Sequence, residues 1–434
     1  MALVVSGGLD TPLPRMVPVK QKFDAPAIED IQTAMESELS KPEIRNAIRP
    51  GDRVAVGVGS RGIAHLKRMT AAIIRELLKW GARPFIVPAM GSHGGATGEG
   101  QKQVLAEYGI TEESMQVPIV SSMDVSQIGR LDCGMPVYLD QEAARADAII
   151  FINRVKPHTS FKGDYESGLL KMMAIGLGRH AGATALHQRP LADMPRLLPQ
   201  MAQMYIQKAP IKFGVAVLEN AYDQTAKIEA IPADQLIARE KQLLMEAKAF
   251  MPRLLPAKID VLIVSEIGKN ISGSGMDPNI TGRAASKAPQ TFNAPDIERM
   301  VVLGLTPETK GNACGIGVAD VTTEKVFRSI NLEYMYANVI TSKVLASAKI
   351  PLIMPNDRDA IRVALKTCYA ADVEQPRLVW IKNTLTLGRI WVSEALIPEV
   401  EQHDRMEVVG HPRKMIFAER GYIREDLWEE ANQT

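Results

Sequence analysis

The chain is expected to fold as an α/β protein: two α/β domains with mostly parallel sheets and a cleft between them for a ligand. Three observations lead there. Short apolar runs of strand length alternate with longer segments whose apolar residues recur at helical spacing. The strand–helix–strand rhythm calls for parallel strands covered by helices. A Pro-containing stretch at 253–258 interrupts that rhythm, and 434 residues are too many for one small core.

The elements follow in order. Residues 1 to about 50 are mixed, with a polar helix expected over 28–38. Residues 53–58 (RVAVGV) form a short buried strand. In 65–80, Leu66, Met69, Ile73 and Leu77 repeat at helical spacing, Gly81 ends the helix and Pro84 follows. The next strand is 85–87 and the next helix 98–108. Residues 146–152 (ADAIIFI) and 211–218 are further buried strands. Residues 234–250 form a charged helix that stops at Met251-Pro252. Past the linker, strands over 259–264, 300–305, 316–321, 350–354 and 378–381, with helices over 333–345 and 357–368, make the second unit. The expected domains are 1–255 and 256–404, with 405–434 helical at its end and packed back on the first domain.

Composition narrows the class. Apolar residues are 46% and charged residues 23%, as in ordinary globular proteins. A net charge of +1 and the lack of long Lys/Arg blocks point away from nucleic acid and from anionic membrane surfaces. No apolar run approaches membrane-spanning length, and the N-terminus does not read as a signal peptide. Cys133, Cys314 and Cys368 lie far apart without finger spacing, so a structural zinc site is not expected and a reducing, cytoplasmic setting is.

Chemistry concentrates in 154–187, RVKPHTSFKGDYESGLLKMMAIGLGRHAGATALH. It holds His158, Lys171 and His187, with glycines at 163, 168, 176, 178 and 182. On one unbroken helix Lys171 and His187 would stand about 24 Å apart. Gly176 and Gly178 make such a helix improbable, and a break there folds the chain back. His158 follows the ADAIIFI strand, and His93 follows strand 85–87 within Gly91-Ser92-His93-Gly94-Gly95. Both therefore lie past the ends of parallel strands, where sites gather and an imidazole can serve as acid or base. The plainer alternatives are solvated loop histidines and a surface Lys171. Walker A and GxGxxG patterns are absent.

These pieces, in order, resemble the lactate racemase family, the nickel-pincer nucleotide-dependent 2-hydroxyacid racemases and epimerases. The resemblance rests on His158, on Lys171 with His187 sixteen residues later, on Ala89-Met90-Gly91-Ser92-His93 with Thr97 and Glu99 beyond, and on Gly59-Ser60-Arg61. It covers roughly residues 50 to 190, and the rest only in outline. It implies that the N-terminal domain is catalytic and binds the cofactor, and that the C-terminal domain closes the active-site cleft. Lys171 would carry the nickel-pincer nucleotide through an amide or thioamide, which removes the charge of a lysine among apolar neighbours. His187 would be the protein's metal ligand, and His93 and His158 the catalytic acid–base pair. Ser60 and Arg61 would bind substrate, with Arg61 on its carboxylate and Lys156 nearby.

The resemblance implies inversion at C2 of a 2-hydroxy acid by hydride transfer to and from the cofactor, through a planar 2-keto acid. The implied partners are the hydroxy acid and cofactor-maturation enzymes; a homo-oligomer is compatible with the sequence. The chain departs from the family pattern where Gly57-Val58-Gly59 replaces an acidic pair. After Asp277-Pro278-Asn279, Gly282 and Ala285 stand where Gln and Lys are common, leaving Arg283 or Lys269 to supply the cation. This argues against plain lactate. Two alternatives stay open: an NAD-dependent epimerase or dehydrogenase using the same cleft, and a non-catalytic binder of a hydroxy acid or nucleotide.

Overall fold

The computed structural model describes residues 8–59, 62–288, 291–369, 372 and 374–424. The protein is α/β, with a five-stranded and an eight-stranded sheet, both mixed and mostly parallel, and a two-stranded hairpin. It divides into one unit of Asp24–Met251 and another of Met1–Phe23 with Pro252–Thr434.

In the unit Asp24–Met251 the sheet order is Arg83–Pro88, Arg53–Val58, Ala148–Arg154, Ile211–Glu219, Thr225–Pro232. The first four strands are parallel and the last is antiparallel. Their apolar runs are explained by burial on both faces. Val54, Val56, Ile150 and Val215 face a core with Leu66, Met69, Ile73 and Leu77, the helical repeat of Leu66–Lys79. Ala55, Phe85 and Phe151 face a second core with Leu169, Leu170, Leu198 and Leu243. Each such large side chain contributes about 1.5–3 kcal/mol when fully buried. The helix Ile31–Leu39 starts where the Asp30 carboxylate accepts the N–H groups of Gln32 and Thr33 at 3.0 and 3.2 Å.

In the other unit the order is Leu352–Met354, Val321–Thr323, Asp296–Val302, Lys258–Val264, Leu378–Ile381, Arg389–Ser393, Met16–Gln21, Met406–Val408. The first five are parallel, and the remainder are added antiparallel. Residues 1–23 thus belong with the C-terminal part of the chain, which a division into 1–255 and 256–404 does not anticipate. Gln21 is the clasp: its buried amide donates to Leu387 O at 2.7 Å and accepts from Leu255 N at 2.9 Å.

Two further expectations are corrected. Residues 405–424 pack on this unit: Met406–Val408 pairs with Met16–Gln21, and Met16 and Arg413 exchange N–H···O bonds of 2.8 Å. The reason is that Met16–Gln21 would otherwise present an unpaired edge. The helix expected at the end of the tail lies outside the described residues. The strand expected over 316–321 begins only at Val321. Ile316–Val318 is a 3₁₀ turn after Gly315, so the N–H groups of Val318 and Ala319 are bonded locally and cannot join a ladder. Among the described residues no helix is long and apolar enough to cross a membrane.

Candidate functional site

Val58 is in register with Pro88 on one side and Ile152 on the other. Three adjacent parallel strands therefore end at one edge of the five-stranded sheet. The chain leaves it through Gly59, through the loop Ala89–His93, and past Arg154 into the loop with His158. Ligands of open α/β sheets bind at this edge.

The turn carrying Lys171 lies across the same edge. Leu169–Lys171 runs into a π-helical turn, Met172–Leu177, an uncommon geometry that recurs at functional sites. The end of the Met172 side chain lies 3.6 Å from where a Cβ on Gly59 would sit. Gly91 has φ +61, and a Cβ there would meet Ile175 at 2.8 Å and Ala183 at 3.5 Å, so only glycine allows this approach. The chain then reverses. A Cβ on Gly182 would sit 2.9 Å from Ala174 O, whereas eight residues on one helix span about 12 Å. The expected break is therefore real. Lys171, half-buried, and His187, exposed at the end of the helix Arg179–His187, are at the outer ends of the two arms.

His93 is exposed, just before the short 3₁₀ turn Gly94–Ala96. Thr97 caps the following helix, Gly98–Glu107, accepting from Gly100 N at 3.1 Å. His158 is half-buried and stacked on Phe161, with ring centroids 4.2 Å apart. Its Nδ1 accepts the Ser160 N–H at 3.0 Å, so the neutral ring carries its proton on Nε2.

Two buried carboxylates hold these loops, and sequence reading passed over both. Glu166, with no exposed side-chain surface, accepts the His158 N–H at 2.7 Å and the Gly163 N–H at 3.3 Å, and pairs with Lys162 at 3.3 Å and Lys248 at 2.7 Å. Glu240, 1% exposed, accepts the Leu170 N–H at 2.9 Å at the start of the Lys171 turn. A Cβ on Gly168 would overlap the Glu240 carboxyl at 2.5 Å. Glu240 comes from the charged helix Leu236–Phe250, where periodicity gives no sign that one glutamate points inward.

Burial pushes the Glu240 carboxyl up to about 7, against the lowering effect of the Leu170 and Leu169 N–H groups. A folded-state value above the unfolded one means that the folded protein holds the extra proton. The associated stability is complete below the unfolded carboxyl range and is lost as pH rises to about 7. The loss has a ceiling of about 3 kcal/mol. Glu240→Gln, which cannot ionise, is expected to gain thermal stability over the parent between pH 5 and pH 8. Parallel melting curves against pH for the two proteins would refute this.

The remaining expected site residues are distributed as follows. Ser60 and Arg61 lie outside the described residues. Lys156 is exposed, and its backbone pairs with Ser167. Arg154 pairs with Glu219, whose other oxygen accepts the Ala64 N–H at 2.7 Å. Lys269 and Arg283 belong to the other unit. Lys269 Nζ donates to Gly273 O of its own loop at 2.6 Å. Arg283 does not meet the expectation of a substrate cation. Its guanidinium donates to Asp320 at 2.6 Å and to the carbonyls of Val318, Ile297 and Glu298 at 3.2, 3.0 and 2.8 Å. Ile297 and Glu298 begin the strand Asp296–Val302, so Arg283 works at the opposite edge of the sheet from the strand ends.

Among the described residues, no three His, Cys, Asp or Glu side chains cluster as a metal cage would need. A single histidine donor, completing a metal sphere that an organic group otherwise supplies, fits the residues present. Lys171, half-buried on the turn that crosses these strand ends, is the residue that could hold a group covalently.

Comparison with known proteins gives three findings. Residues 14–196 match the lactate racemase N-terminal domain. The lactate racemase apoprotein from Thermoanaerobacterium thermosaccharolyticum is similar over 75% of this chain and 81% of its own, with 13% identity and a TM-score of 0.47. A protein from Thermotoga maritima is similar over 81% of this chain and 96% of its own, with 13% identity and a TM-score of 0.48. No curated protein sequence matches the chain.

Proposed function

We propose that the protein, whose residues 14–196 match the lactate racemase N-terminal domain, is a racemase or epimerase that inverts C2 of a 2-hydroxy acid. The observation that carries this reading is the gathering of the His93 loop, the His158 loop and the Lys171 turn on the ends of three adjacent parallel strands. Lys171 would hold a nickel-pincer nucleotide covalently, and His187 would give it a metal donor. Held there, such a group would supply a hydride acceptor and donor for C2.

The chain's own residues do the rest. C2–H of a hydroxy acid is weakly acidic, so a base acts better on the hydroxyl oxygen. His93 takes the hydroxyl proton in one direction. His158 meets the oxygen of the planar 2-keto acid through its Nε2 side and gives it a proton when it enters the step as imidazolium, ending as the neutral ring. Phe161 sets the plane of that ring, and the Ser160 N–H fixes which nitrogen faces substrate. Glu166 holds the His158 backbone in place. Ser60, Arg61 and Lys156 are the proposed substrate contacts. The substrate class, the cofactor and its maturation enzymes are parts of the same proposal.

The test uses holoprotein made together with cofactor-synthesis enzymes, and a panel of 2-deuterated 2-hydroxy acids that begins with lactate. In ordinary water, inversion is expected with the label largely kept, read by NMR or mass spectrometry. Loss of deuterium to solvent in step with inversion would show a carbanion route and overturn the mechanism.

A further inference from the structure

A buried arginine connects the His93 loop to the helix that ends at His187. Arg179 has no exposed side-chain surface and sits at the chain reversal with φ +54. A non-glycine residue in this conformation is uncommon and strained. Its Nε donates to Asp140 at 2.6 Å, and its Nη1 donates to Pro88 O and to the side-chain oxygen of Gln101. Asp140 is itself anchored by the Ala143 N–H at 2.8 Å. Gln101, also fully buried, donates from Nε2 to Gly91 O at 3.0 Å and to His93 O at 3.2 Å.

An amide side chain has a donor end and an acceptor end, whereas a guanidinium only donates. Arg179 can therefore meet only the oxygen of Gln101. That forces the NH₂ end towards the two loop carbonyls. We propose that Arg179 and Gln101 form a polarity lock that positions His93, with Asp140 holding the arginine. The lock rests on the reading of His93 as an acid–base residue. Neither residue touches substrate in this proposal: both are positioning residues. The same arginine starts the helix Arg179–His187, so the proposed base and the proposed metal donor share one buried anchor.

Gln101→Glu separates this role from a merely structural one. Glutamate keeps an acceptor for Arg179 but cannot donate to Gly91 O or His93 O. It is expected to fold with lowered thermal stability, because two buried carbonyls lose their donor, to lower turnover about tenfold or more, the scale seen for outer-shell partners, and to leave KM unchanged. In apoprotein carrying ¹³C-labelled histidine, the His93 resonance, assigned with His93→Gln, is expected to shift. Arg179→Lys, another donor-only side chain, should keep the His93 resonance near its parental position, and Arg179→Met should displace it. If Gln101→Glu does not fold, these two variants decide the question. Parental turnover and a parental His93 resonance in Gln101→Glu, or equal resonances in Arg179→Lys and Arg179→Met, would overturn the lock. A holoprotein inert towards every acid in the panel, with the His93 resonance displaced as described, would overturn the racemase reading and support the lock.

Discussion

Lys171→Ala is expected to leave the holoprotein at the mass of the bare chain and without measurable turnover. Lys171 is half-buried in a turn whose neighbours Leu169, Leu170, Met172 and Met173 are all buried. The proposed link is an amide or thioamide through Lys171 Nζ, which alanine cannot form. Intact-mass spectrometry of parent and variant, both made beside cofactor-synthesis enzymes, reads the difference directly. His187→Ala is expected to keep the added mass and lose most of the nickel, because only the protein's metal donor is removed. Parental holoprotein at bare-chain mass and free of nickel would sink the nickel-nucleotide reading and favour a nicotinamide.

His93→Ala and His158→Ala are each expected to lower turnover by about 10² or more, the scale for removing a general acid or base. Substrate binding should survive better than rate. Below KM each variant should lose the same factor from either enantiomer, because a substitution cannot change the equilibrium constant of the inversion. Initial rates from each enantiomer of an accepted 2-hydroxy acid measure this. Near-parental turnover in both directions for both variants would remove the pair from the mechanism and turn attention to Lys156 and Lys162.

Much of the architecture was legible because burial leaves a local trace. The runs RVAVGV and ADAIIFI are strands, and Leu66, Met69, Ile73 and Leu77 line one buried helix face. The glycines between Lys171 and His187 foretold the reversal, since a helix does not run easily through them. The histidines at 93 and 158 fall past strand ends, as their place after apolar runs implied.

What escaped was non-local. The strand Met16–Gln21 could not be assigned to the C-terminal sheet from a mixed N-terminal stretch, because its partner strand Arg389–Ser393 lies at the far end of the chain. The same distance misdirected the tail after residue 405. Arg283 read as a spare cation, but its four acceptors come from segments 14 to 37 residues away.

By itself, then, the sequence determined the α/β class, most strands and helices of the two units, the break after Lys171 and the order of the reactive side chains. Only the tertiary structure decided which polar groups hold those side chains still. Glu240 reaches Leu170 across 70 residues, and Arg179 reaches Asp140 across 39 and Gln101 across 78. Hydrophobic burial repeats along a segment with the period of its helix or strand, so one sequence reveals it. A buried polar group must instead find a particular donor or acceptor, wherever along the chain that partner lies.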